Sequence, residues 1–229
     1  MYEQAVDAYD KGDFTKAVGL FTEATKMAPK FAPAYAGLGL ALKASGADFE
    51  EVLYYYKTAT EVDPSSAPAF EQLGRLYYAV SQFDKAEENF QKALKIDPGM
   101  TGVKSSLAWM YLMSKPRPAK AVGYFKDVLR TSPSPNIWFG LGMAYFSNND
   151  RGQAMDVITK LRDMKQEDLA VKLENAMREK RIVVLDTLQE QPQSGPSDAA
   201  PAQPAPSAGP AQPAGVKVRL RDKLSVLDN

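Results

Sequence analysis

Cysteine and histidine are both missing from the 229 residues. Their absence removes thiolate nucleophiles, disulfides, zinc sites built on sulfur or imidazole, and imidazole as a general base. An excess of either charge is missing too. The 28 Lys and Arg meet 28 Asp and Glu, so no net field draws the whole chain to nucleic acid or to an anionic membrane. Nucleic acid is therefore not an expected partner. No run approaches the ~18–20 apolar residues of a membrane span, and no integral membrane segment is expected. Walker phosphate loops, Gly-x-Gly-x-x-Gly and Ser-x-x-Lys do not occur. Gly37 with Gly39 and Gly140 with Gly142 fall inside helical patterns, where close packing accounts for them. The acidic group around Asp48, Glu50 and Glu51 marks a helix start, where negative charge suits the dipole. The expectation is a protein that is not an enzyme and needs no cofactor or metal.

What the chain does have is a repeat. Hydrophobic residues make up 45% and aromatics 10%, enough for a continuous core. The prolines that close helices, Pro29, Pro64, Pro98 and Pro133, stand 35, 34 and 35 residues apart. In step with them come Ala17, Val52, Ala86, Ala121 and Ala154. Phe21, Tyr56, Phe90, Phe125 and Ile158 follow four residues later, then Ala24, Ala59, Ala93, Val128 and Leu161 three beyond those. Offsets of three and four put each set on one helix face, and a small residue lets the neighbouring helix come close. A preceding helix carries its own pattern: Phe70-x2-Leu73-Gly74-x2-Tyr77 and Trp138-x2-Leu141-Gly142-x2-Tyr145, 68 residues apart, with weaker copies at Leu38-Gly39 and Leu107-Ala108-x2-Tyr111. Turn sequences such as Gly12-Asp13 and Asn148-Asn149-Asp150 separate the two helices. Second prolines at Pro33, Pro68 and Pro135 suit a first helical turn.

This pattern resembles the tetratricopeptide-repeat (TPR) family, whose 34-residue unit is a helix–turn–helix. The resemblance implies an all-α fold: a TPR superhelical solenoid of five units over about 1–31, 32–66, 67–100, 101–134 and 135–164. Unit four departs from the pattern, with Lys104 in place of the opening aromatic and an expanded turn at Ser114-Lys115-Pro116-Arg117-Pro118. Residues 165–189 read as a C-terminal capping helix, with Leu169, Leu173, Ala176 and Met177 on one face and charge on the other. The expected location is the cytoplasm. Unit one opens at Met1, several residues into its first helix, so an export signal upstream would make the protein periplasmic or membrane-associated.

The family binds proteins on an inner, concave face lined by the first helices. The matching positions here are Tyr2, Val6 and Tyr9; Ala36, Leu40 and Lys43; Glu71, Arg75 and Tyr78; Ser105, Trp109 and Leu112; and Phe139, Met143 and Phe146, with Met113 at the edge. So apolar a lining suits an amphipathic helix or an extended peptide; Lys43 and Arg75 offer a carboxylate partner. The alternative is that part of the stripe is extra core beneath the capping helix. One family mode, clamping the acidic tails of heat-shock chaperones with Lys and Asn, finds Tyr2, Val6, Gly37, Pro68 and Gln72 at its positions, none suited to a carboxylate. The function implied is a non-catalytic adaptor or scaffold holding a peptide or helix of a protein partner. A self-assembling homo-oligomeric scaffold, or an accessory subunit of a bacterial secretion or pilus-assembly complex, are the alternatives.

Residues 190–215 are Pro, Ala, Gln, Ser and Gly with almost no charge, the composition of a disordered linker. Residues 216–229 then return to apolar and basic side chains. Val216, Val218 and Leu220 alternate as in a strand, while Val216, Leu220, Leu224 and Leu227 fit one helix face. This tail is expected to dock in the chain's own groove or to serve as a second binding motif, the third reading being non-functional charge or a weak membrane-surface attachment.

Overall fold

The computed structural model describes residues 1–179; residues 180–189 of the expected capping helix, the linker at 190–215 and the tail at 216–229 lie outside them. Eleven helices follow one another among the described residues: α1 Tyr2–Asp10, α2 Phe14–Met27, α3 Ala32–Ser45, α4 Phe49–Val62, α5 Ala67–Ala79, α6 Phe83–Ile96, α7 Thr101–Met113, α8 Pro118–Thr131, α9 Pro135–Ser147, α10 Arg151–Asp163 and α11 Glu167–Glu179. Each odd helix packs against the even one after it, and each even helix against the next odd one. Five helix pairs thus stack in chain order, and α11 closes the stack against α9 and α10.

Local chemistry sets the pair geometry. Asp13 and Asp150 cap α2 and α10 by accepting from the backbone N–H of Lys16 (3.1 Å) and Gln153 (3.2 Å), which satisfies donors a helix start otherwise leaves open. Prolines occupy the first turn of α3, α5, α8 and α9, where the missing N–H costs nothing. The tight turn inside a pair recurs at the backbone level. Gly12, Ser81 and Asn149 take left-handed φ values of 77°, 62° and 61°, and each donates to the carbonyl three residues back: Tyr9, Tyr78 and Phe146.

Between helices an aromatic of each of α2, α4, α6 and α8 lies over a glycine. A Cβ on Gly39 would stand 2.7 Å from the Tyr56 ring, and one on Gly74 2.7 Å from Phe90, both within a pair. Gly37 faces Phe21 and Gly140 faces Phe125, at 2.6 Å, across the seam between pairs. The rings are buried and the glycines let backbone approach backbone. Both Gly-x-Gly pairs are therefore packing features.

The expanded turn of the fourth pair docks onto α6 through a charged cluster. Glu87, on α6 and buried, accepts from the Tyr111 hydroxyl at 2.6 Å and from Arg117 at 3.2 Å, and it pairs with the Lys115 ammonium and, at 3.8 Å, with Lys120. Lys115 also reaches Asp84 at 2.5 Å. Lys120 and Arg117 lie over the Tyr111 ring at 5.0 and 5.9 Å. Burial alone would raise the Glu87 carboxyl, but hydrogen bonds from Lys115 and Tyr111 and the charges of Lys115 and Arg117 outweigh it and hold the group below the usual carboxylate range. Burial and this carboxylate push the Tyr111 hydroxyl strongly upward.

A depressed folded-state value means that Glu87 adds stability above the ordinary carboxylate range, and that this is lost as pH falls through the folded-state value. Glu87→Gln is therefore expected to lower stability at pH 7 by about 1–3 kcal/mol. The gap to wild type should shrink in urea titrations repeated near pH 3. A gap independent of pH would show that the carboxylate charge does not hold the turn.

Candidate peptide-binding face

The first helices of successive pairs lie side by side, α1 against α3, α3 against α5 and α7 against α9. The side of each helix turned from its partner therefore joins into one face, the inner face. On α1, α3 and α5 it is open. Tyr2, Val6, Tyr9, Ala36, Leu40 and Tyr78 are half-buried there, and Tyr2, Val6, Tyr9 and Tyr78 pack against the core. The tyrosines are held by neighbours: Tyr2 meets Phe31 edge-on at 5.1 Å, Tyr9 leans on Phe14 at 5.3 Å, and Tyr78 meets Phe83 edge-on at 5.6 Å. Rings fixed in this way lose little entropy when a ligand packs on them.

Polar groups frame the apolar stripe. Arg75 and Glu71, one turn apart on α5, form an ion pair at 3.8 Å, each side chain about one-fifth exposed. Burial pushes the Glu71 carboxyl upward, and Arg75 offsets only part of that. Lys43 is half-buried on α3. Asp10, exposed at the end of α1 four residues past Val6, is a member of this face that sequence reasoning missed. Its spacing from Val6 was the available signal.

The C-terminal half of the face differs from expectation. Leu112, Phe139 and Met143, expected to line the groove, are core instead, with exposures of 2%, 0% and 0%. The reason is the situation of α9, which packs against α7, α8, α10 and α11. All residues from Phe139 to Tyr145 are buried, so the helix has no free side to offer. Trp109 is half-buried but drawn into the seam: its ring meets Phe125 edge-on at 5.0 Å, and its Cη2 would stand 3.0 Å from a Cβ on Gly140. Met113 and Phe146 remain half-buried at the margin. The half-buried part of the expected site is thus Tyr9, Leu40, Lys43, Arg75 and Tyr78 on the first three pairs, with Trp109, Met113 and Phe146 on the last two.

Models of the tetratricopeptide repeat match residues 2–67 and 67–100, which span the first three helix pairs. Together with eleven helices stacked in pairs, these matches decide the family. The chain is a tetratricopeptide-repeat protein. Solved TPR structures share its fold. MamA is 18% identical, with a TM-score of 0.61 over 80% of this chain and 96% of MamA. YrrB, described as a TPR protein with an unusual peptide-binding site, is 17% identical, with a TM-score of 0.63 over 75% of this chain and 88% of YrrB. PilF of Pseudomonas aeruginosa is 16% identical, with a TM-score of 0.61 over 78% of this chain and 89% of PilF. At these identities the likeness is one of fold. No curated protein matches the sequence. Among the described residues of the TPR array no helix is long and apolar enough to cross a membrane, and no group of three or more His, Cys, Asp or Glu is placed to hold a metal ion.

Proposed function

We propose that this TPR protein is a non-catalytic adaptor that holds a peptide of a protein partner on the inner face of α1, α3 and α5. The observation that carries the reading is the stripe of half-exposed Tyr2, Val6, Tyr9, Leu40 and Tyr78. The stripe is apolar, carried on three helices that pack side by side, and edged by both signs of charge. Such a surface favours ligands with apolar anchors and at least one charged side chain. The fold it shares with YrrB, whose description includes a peptide-binding site, supports the same use. Trp109 and Phe139 contribute to the scaffold rather than to contact.

The test is a displayed library of random peptides selected on the full chain. Selected peptides should be rich in apolar residues and should bind Leu40→Asp and Tyr78→Ala about tenfold or more weakly, the scale expected when an anchor's pocket is removed. The melting transition should remain cooperative in both variants. Selected peptides that bind wild type and both variants equally would place the site elsewhere. Light scattering on the same samples separates adaptor from self-assembling scaffold, and a mass that stays monomeric with concentration favours the adaptor.

A further inference from the structure

We propose that the inner face of α1, α3 and α5 is the docking site of the chain's own segment 216–229. The inference rests on the peptide-binding reading above and names its occupant. Charge is the first argument. Residues 1–100, the first three pairs, carry ten Lys and Arg against fifteen Asp and Glu, a net charge of −5. Residues 101–164, the last two pairs, carry nine Lys and Arg against four acids, a net charge of +5. The array is polarised along its length although the whole chain is neutral. Segment 216–229 holds Lys217, Arg219, Arg221 and Lys223 against Asp222 and Asp228, a net charge of +2. It is repelled by the last two pairs and attracted to the first three, where the inner face is open.

Side-chain chemistry is the second argument. Val216, Val218, Leu220 and Leu224 are anchors of the size that a stripe of Val6, Leu40 and tyrosine edges accommodates. The cations beside them find exposed Asp10 and the carboxylate of Glu71, which they would share with Arg75, together with the half-buried ring of Tyr78. Reach is the third. Residues 180–215 are 36 in number and can span at most about 120 Å. Five helix spacings from α11 back to α1 come to about 40–50 Å. A tether of that length gives the segment a high effective concentration at its own array, which favours docking within one molecule. A partner peptide then has to displace the segment, and the adaptor is closed until it does.

The decisive experiment places a photo-cross-linking benzoylphenylalanine at Leu220 in the full chain. Irradiation is expected to give cross-links that run as monomer and map to α1, α3 or α5, near Tyr9, Leu40 or Tyr78. Triple reversal, Lys217→Glu with Arg219→Glu and Arg221→Glu, should lower their yield about tenfold, and 1 M salt should lower it similarly. Cross-links confined to α7–α11, cross-links appearing in a dimer, or a yield indifferent to charge reversal would each overturn the proposal. A second arm separates it from the reading it rests on. The charge-reversed chain is titrated with a free peptide of sequence 216–229 and with the library-selected peptides. If the selected peptides bind the inner face and the 216–229 peptide does not, self-docking fails and the adaptor stands. If neither binds there, both fail.

Discussion

Phe125→Ala is expected to lower the stability of the chain by about 3–5 kcal/mol, among the largest effects of any single truncation. The ring is fully buried on α8 and makes the seam between the fourth and fifth pairs. It meets Trp109 of α7 edge-on and covers Gly140 of α9, which has no side chain to fill the space the ring would vacate. Three helices therefore lose a contact at once, and the cavity cannot close by a rotamer change. In a linear stack each pair touches only its neighbours, so the damage should be local. Hydrogen exchange should quicken in α7, α8 and α9 before it does in α2 or α3. Trp109→Ala should produce the same pattern at smaller amplitude, because Trp109 is half-buried. Tyr54→Ala, at a position 62% exposed, should stay within about 0.5 kcal/mol of wild type. Denaturant titration with residue-resolved exchange reads all three. Protection lost evenly from α1 to α11 in the Phe125 variant would mean that the array unfolds as one unit.

The fold was legible because repetition exposes it. Five aligned sets of residues at helical offsets fix pairing, period and the seam positions together, and the rings of Tyr56, Phe90 and Phe125 lie where that register puts them. The site was only partly legible, and the failure has a definite cause. Reading the inner face by position treats every first helix as equivalent. Leu40 and Tyr78 sit on helices that leave this side open, whereas Phe139 and Met143 sit on a helix with α7 on one flank and α11 on the other. The sequence did carry a warning: α9 runs Phe139-Gly140-Leu141-Gly142-Met143-Ala144-Tyr145 with no polar residue, and a helix apolar all round is a buried one. The charged cluster around Glu87 was harder to see. Its members are spread from Asp84 to Lys120 across three helices and a turn, and nothing periodic connects them. The expanded turn at Ser114–Pro118 signalled a departure from the repeat, but only the structure gives that departure a partner.

The α9–α11 contact offers a sharper test, because two substitutions there should fail to add. Leu173 of α11 is fully buried, and its Cδ2 occupies the place a Cβ on Gly142 would need, with Val157 Cγ1 at 2.9 Å on the other side. Leu173→Ala alone removes the side chain that seats the closing helix and should cost about 2–5 kcal/mol. Gly142→Ala alone gains about 1 kcal/mol of helix propensity but drives a methyl into Leu173, for a net loss of about 1–3 kcal/mol as α11 is pushed outward. In the double variant the methyl enters space that Leu173 has left. The loss from Gly142→Ala should then fall by at least about 1 kcal/mol relative to its value in wild type, a favourable coupling of the kind contacting residues show. Val157 remains in place, so the rescue is incomplete. Unfolding free energies for the four chains measure the coupling directly. Losses that sum to within about 0.5 kcal/mol would mean that α11 does not bear on Gly142, and that the last pair is closed by something other than this helix.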